Sequence, residues 1–172
     1  MESLNESIFF WLHDFAGRIV WLDWTINFLA SDLILILSFV LAVFFVAHRN
    51  KHKGFEEFGV VFSSGAIAVI IAGILKFLFN TPRPFTVFVE SVPLFYTGLG
   101  AFPSGHTAFF MALGVSFHTY HKSLAYFFII SALVIGTSRV IAGVHFPLDI
   151  VGGALLGAFV GFLVPLLYNR FK

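Results

Sequence analysis

Three cationic side chains, two histidines, a carboxylate and two serines stand at the ends of apolar runs in this sequence. They fall in three stretches. Lys76 and Arg83 belong to "KFLFNTPRP", Ser104, Gly105 and His106 to "PSGH", and Ser138, Arg139, His145 and Asp149 to "SRVIAGVHFPLD". Ionisable groups at or inside membrane spans are costly and are kept for a function or a partner. Taken singly, each has a plain structural reading. Lys76 can snorkel to headgroups, and Arg83 can touch lipid phosphate without specificity. Ser104 can cap a helix, Arg139 and Asp149 can form an ion pair, and either histidine can be a hydrogen-bonded structural ring. Taken together they make a poor core and a good site for a tetrahedral anion.

The residue types suit phosphate chemistry. Arg offers paired donors to phosphate oxygens, and Lys offers a compact point charge. As a nucleophile attacks phosphorus, fixed cations compensate the charge on the equatorial oxygens without a metal ion. A helix start adds unpaired N–H groups and the positive end of its dipole. Pro103 favours such a start close behind it, Ser104 can donate or accept a hydrogen bond, and Gly105 lets an oxyanion approach the backbone. His106 is then held at the rim, where a leaving oxygen could take a proton. In the third stretch Phe146 precedes proline and is expected to be extended, so a helix should begin at Pro147. Asp149 then falls in its first turn and can turn back toward His145. In such a pair one ring nitrogen donates to the carboxylate and the other is left bare to attack.

The elements that position these groups are set by composition. The chain has 172 residues, of which 59% are hydrophobic and only 11% charged. A soluble domain carries about 25% charged residues, so the expectation is an all-α integral membrane protein. There is no cysteine, which excludes disulfides and thiolate metal sites. The net charge of +1 exerts no pull toward nucleic acid. No cleavable signal peptide is evident: the first residues are acidic, and His13 and Asp14 interrupt the apolar run. A span takes about 20 mostly apolar residues. Five stretches qualify: about Leu29 to Ala47, Phe55 to Phe79, Ser104 to Tyr120, Ser123 to Val144 and Pro147 to Tyr168. The fold expected is a bundle of about five transmembrane helices forming a domain over residues 29–172. Residues 1–28 mix Trp11, Trp21 and Trp24 with Asp14, Arg18 and Asp23. They read as interfacial amphipathic helices, with a sixth span as the alternative.

Basic residues orient the bundle. Arg49, Lys51, Lys53, Lys122, Arg170 and Lys172 fall on one side, and Arg18, Lys76, Arg83 and Arg139 on the other. The first side is expected to be cytoplasmic, which puts the candidate site outside. Gly153, Gly157 and Gly161 recur every four residues, a spacing that admits another helix backbone within the monomer or, as the lesser reading, in a dimer. The mostly apolar segment of residues 85–102 either rests on the membrane or dips into the leaflet to admit a lipid from the side. His48 with His52, and His118 with His121, read as solvated interfacial residues, with a shared metal as the lesser reading.

The motifs K-x6-R-P, PSGH and S-R-x5-H-x3-D, in this order, resemble the three-part signature of the type 2 phosphatidic acid phosphatase superfamily of membrane lipid phosphatases. The resemblance runs from Lys76 to Asp149. It implies that Lys76, Arg83 and Arg139 bind the phosphoryl group with Ser104 and the Gly105 amide. It also implies that His145 is a nucleophile forming a phosphohistidine, that Asp149 orients it, and that His106 protonates the leaving oxygen and later activates water. Ser138 matches the motif and is expected to cap or support. The family works without a metal cofactor. The partners implied are the lipid bilayer and a membrane lipid bearing a phosphate or diphosphate, on the outer (periplasmic) face of a bacterial inner membrane. Undecaprenyl diphosphate and lipid A 1-phosphate are favoured over phosphatidylglycerol phosphate and phosphatidic acid. A lipid-to-lipid phosphotransferase on the same scaffold and a non-catalytic anion-binding membrane protein are the alternatives. Oligomeric state stays open.

Overall fold

The computed structural model describes residues 3–48, 52–98 and 100–172. Arg49 and Lys51, used above for orientation, lie outside the described residues, as do the side chains of Lys53, His48 and His52. The described elements are α1 (Leu4–His13), α2 (Val20–Asn27), a π-helical turn (Phe28–Asp32), α3 (Leu33–His48), α4 (His52–Phe79), α5 (Pro84–Val87), α6 (Gly105–Phe117), α7 (Lys122–Ile141) and α8 (Pro147–Phe171).

Local chemistry sets the starts. Ser3 and Glu6 form a reciprocal capping box at α1, satisfying two N–H groups that the helix cannot pair itself. Proline opens α5 and α8, where its missing N–H costs nothing. Phe146 is extended, with φ −80° and ψ 156°, as its place before proline requires. Ser104 precedes α6 in an extended conformation but makes no side-chain cap. The first span is expected from about Leu29, and the helical run is continuous from Val20 through the π-helical turn into α3.

α6 is the hub, packed by α4, α7 and α8. It has 13 residues, about 20 Å of length, against about 30 Å of hydrocarbon in a bilayer. Among the described residues, three stretches are long and apolar enough to cross: Gly54–Val87, Lys122–Ile141 and Pro147–Phe171, with mean hydropathy 2.4, 1.9 and 2.3. Their outer faces carry exposed apolar side chains such as Phe77, Ile130 and Phe159, which a lipid environment accommodates and water does not. The glycine series of α8 is turned to α6 of the same chain. A Cβ at Gly153, Gly157 or Gly161 would stand 2.4, 2.3 or 2.5 Å from the carbonyl oxygens of Ser104, Ala108 and Ala112. Only glycine admits this approach.

The antiparallel run of α4, α6, α7 and α8 brings the end of α4, the start of α6, the end of α7 and the start of α8 to one end of the bundle. At the other end Lys172 pairs with Glu56, and His121 Nε2 lies 3.3 Å from Glu57. Among the described residues no group of three His, Asp or Glu side chains is placed to hold a metal ion.

Candidate active site

A cavity of about 380 Å³ opens at the first of these ends. Lys76, Arg83, Gly105, His106, Arg139 and His145 line it, with Thr97 and Gly98 from the connecting loop and Ser38, Val69 and Phe109 from the helices. Six residues singled out in the sequence therefore share one wall, although 69 positions separate Lys76 from His145 in the chain.

Each cation is held by backbone carbonyls. Lys76, in the last turn of α4, donates from Nζ to Gly100 at 2.9 Å and Ala101 at 2.8 Å. Arg83, ahead of α5, donates from Nη2 to Gly98 at 2.9 Å and Gly100 at 3.3 Å. Its Nη1 donates to Val144 at 2.6 Å and lies 3.5 Å from His145 Nε2. Arg139, in the last turn of α7, donates from Nη1 to Ala30 of the π-helical turn at 2.8 Å. Its guanidinium carbon lies 5.6 Å from the centre of the Phe95 ring, within cation–π range. Carbonyl dipoles orient these groups without neutralising them, so the cavity keeps a positive potential in poorly solvated surroundings.

His145 follows a turn at Gly143, whose φ is +78°, a conformation glycine adopts without strain. The ring is 1% exposed. Its Nδ1–H donates to Asp149 Oδ2 at 3.2 Å, and the same oxygen accepts from the Phe146 backbone N–H at 2.8 Å. Asp149 is thus fixed by the first turn of α8 before it fixes the histidine. This leaves Nε2 unprotonated on the cavity side. Burial, and then Arg139, Lys76, Arg83 and His106, push the His145 pKa well below the ordinary imidazole value, which favours the neutral ring at neutral pH. His106, the second residue of α6, faces the same space and is only partly exposed.

Three singled-out residues stand behind the wall. Asp149 backs His145. Ser104 is fully buried, accepts at Oγ from Thr107 at 3.1 Å, and donates its backbone N–H to the Asp149 carbonyl at 2.9 Å. It ties the starts of α6 and α8 together. Ser138 donates to Val134 in its own helix at 2.8 Å. The carbonyl wall of Gly98, Gly100 and Ala101 was not foreseen. Its only sequence signal is the pair of glycines in "TGLGAF". The anchoring of Arg139 on Ala30 spans 109 residues and has no local signal.

Comparison with known proteins shows the family to which the chain belongs. A model of the PAP2 superfamily matches residues 58–172. The bacitracin transport permease protein BcrC of Bacillus licheniformis is 28% identical over 157 residues, 91% of this chain and 76% of its own. The undecaprenyl-diphosphatase BcrC of Bacillus subtilis is 23% identical over 161 residues, 93% of this chain and 82% of its own. A lipid A 1-phosphatase of Rhizobium johnstonii is 30% identical over 122 residues, 66% of this chain and 46% of its own. The crystal structure of Aquifex aeolicus LpxE superposes with a TM-score of 0.76 at 27% identity, covering 95% of each chain. All three site stretches lie inside the matched region, and the chain belongs to the PAP2 superfamily of membrane phosphatases.

Proposed function

We propose that this protein hydrolyses the phosphate monoester or diphosphate of a membrane lipid through a phosphohistidine on His145. The observation that carries this reading is the disposition of that ring. Its Nδ1 is bound to Asp149 at 3.2 Å, and its Nε2 lies 3.5 Å from Arg83 in a cavity also lined by Lys76 and Arg139. The Nε2 lone pair attacks phosphorus, and the bond from phosphorus to the leaving oxygen breaks. His106, which takes up a proton once the anionic phosphate is bound among the cations, delivers that proton to the leaving oxygen. His106, now neutral, takes a proton from water, whose oxygen attacks the same phosphorus. The phosphorus–nitrogen bond breaks and inorganic phosphate leaves. Arg83, Lys76, Arg139 and the Gly105 amide compensate the equatorial oxygens in both steps.

Undecaprenyl diphosphate is the first-ranked substrate and lipid A 1-phosphate the second. Relatives named for these activities align with 93% and 66% of the chain. Val69 and Phe109 in the cavity wall offer apolar contact to the first carbons of a lipid. Lys122, Arg170 and Lys172 belong to the end of the bundle opposite the cavity. The bias of basic residues toward the cytoplasm therefore supports a periplasmic site on a bacterial inner membrane.

The test is phosphate release by purified protein from undecaprenyl diphosphate, lipid A 1-phosphate, phosphatidylglycerol phosphate and phosphatidic acid, with and without EDTA. Release is expected to be fastest from undecaprenyl diphosphate, to persist in chelator, and to vanish in His145→Ala. Undiminished release by His145→Ala overturns the nucleophile assignment. Complete loss in EDTA restored by a divalent ion overturns charge compensation by side chains alone. Labelled phosphate passing to a second lipid with little free phosphate would identify a transferase instead.

A further inference from the structure

We infer that α1 positions the nucleophile, with His13 and Asn5 bracing the His145 loop from both of its flanks. The inference rests on the reading of His145 as nucleophile. α1 lies outside the residues matched by the family, 58–172, yet it is docked on the ends of α7 and α8 that carry the site. Upstream of His145, His13 Nδ1–H donates to the Ile141 carbonyl at 2.8 Å. Downstream, Asn5 Oδ1 accepts from the Leu148 backbone N–H at 3.0 Å. Both partners are orphan groups: one of the last carbonyls of α7 and one of the first N–H groups of α8, neither of which has an intrahelical partner. Between the two contacts Phe9 is fully buried. It is stacked on His13 with ring centres 5.2 Å apart and set edge-on to Phe146 at 5.3 Å.

The loop is shaped around this helix. A Cβ on Gly143 would stand 2.8 Å from His13 Cε1, so the turn that delivers His145 closes against the His13 ring. Burial of Phe9 alone would explain docking. It does not explain why two polar side chains eight residues apart each end on an orphan backbone group flanking the same histidine. In-line attack needs Nε2 held within a few tenths of an ångström, and a displacement of about 1 Å costs on the order of 10²-fold in rate. Neither His13 nor Asn5 lines the cavity of Lys76, Arg83, Arg139 and His145; they act through the loop.

The experiment compares wild type, His145→Ala, His13→Ala, His13→Asn and Asn5→Ala as full-length protein in the same detergent. The readouts are kcat, KM, and inhibition by vanadate and by inorganic phosphate. Vanadate reports the placement of Nε2 because it takes a fifth ligand from the nucleophile, whereas phosphate reports the cations. His13→Ala is expected to lower kcat and vanadate affinity together, by about 10- to 100-fold, with KM and phosphate inhibition little changed. His13→Asn, which keeps a donor where Nδ1 stood, should recover most of both. Asn5→Ala removes one acceptor without opening the Phe9 contact and should show the same pattern in weaker form, which keeps the inference testable if His13→Ala does not fold. Wild-type kcat and an unchanged vanadate-to-phosphate ratio in folded His13→Ala and Asn5→Ala, beside an inactive His145→Ala, would overturn the brace while leaving the nucleophile standing. Activity in His145→Ala would remove the nucleophile itself, and the brace with it.

Discussion

Lys76 and Arg83 donate to one and the same carbonyl, that of Gly100, at 2.9 and 3.3 Å. Two like charges are therefore spaced by a backbone loop. A carboxylate in that place would cancel the field that an anionic substrate needs; a carbonyl aims the donors and leaves the charge in force.

Gly100 is the first position to test. A Cβ there would meet the Lys76 carbonyl oxygen at 2.8 Å and Asn80 Cα at 3.3 Å, both backbone atoms that cannot swing aside. Gly100→Ala must shift the loop and disturb one or both cation contacts. Hydrogen bonds to charged groups are worth about 1.5–3 kcal/mol, so KM and phosphate inhibition should weaken by roughly 10- to 100-fold. The fall in kcat should be the smaller effect in steady-state assays.

Asp149 should show the opposite split. Its carboxylate is off the cavity wall and bound to the His145 ring and the Phe146 N–H. Asp149→Asn keeps the size but offers the ring an acceptor of lower charge, or an N–H where an acceptor is required. The expected loss in kcat is on the order of 10²- to 10⁴-fold, with little change in KM. A variant that binds poorly yet turns over normally would contradict the orienting role.

His106 is tested through the leaving group. An alkyl lipid oxygen needs a proton as it departs, and a p-nitrophenolate does not. His106→Ala should therefore lose far more activity on a lipid phosphate monoester than on p-nitrophenyl phosphate. Equal losses on both would remove the proton-transfer role.

The depressed pKa of His145 has a signed consequence. The ring must be neutral to attack, and burial with the surrounding cations holds its pKa well below the ordinary imidazole value. Activity should therefore persist as pH falls through about 6.5, and the acid limb of kcat/KM should lie clearly lower. Stability runs the other way: the unfolded chain takes up a proton below about 6.5 that the folded ring resists. Stability is then in full above that pH and declines as pH falls from it toward the folded pKa. Melting in detergent should show this decline, and His145→Gln should flatten it. An acid limb at the ordinary imidazole value would contradict a neutral, cation-ringed nucleophile.

Much of the site was legible because its chemistry is carried by side chains that membranes tolerate poorly. Lys76, Arg83, His106, Arg139 and His145 are costly enough at helix ends to announce themselves, and all line one cavity. The start of α8 was legible through Pro147. What escaped is carried by the backbone or by distance. Carbonyls of Gly98, Gly100 and Ala101 have no residue-type signature. Ser104 looks like a cap and instead accepts from Thr107 deep in the packing. The contacts of His13 and Asn5 span 128 and 143 residues, beyond any periodicity. The continuity of α2 with α3 was hidden because Trp21, Asp23 and Trp24 read as marks of an interfacial segment, while the π-helical turn joins that helix to α3.

Gly157 was legible in spacing and ambiguous in partner, which makes it decisive for the bundle. An added Cβ would stand 2.3 Å from the Ala108 carbonyl oxygen and 2.9 Å from Met111 Cβ. Neither can move without moving α6. Overpacking of this kind costs about 1–3 kcal/mol, so Gly157→Ala should lower the melting temperature by several degrees. It should also reduce activity, because α6 brings His106 and α8 brings Asp149, and the Ser104 N–H to Asp149 carbonyl bond at 2.9 Å joins their starts. Gly73→Ala on α4 is the control: nothing lies within 4 Å of its added Cβ, and alanine favours helix over glycine. It should be neutral or stabilising. If Gly157→Ala instead left the melting temperature unchanged and altered the oligomeric state measured by light scattering, the glycine face would belong to a second copy of the chain rather than to α6.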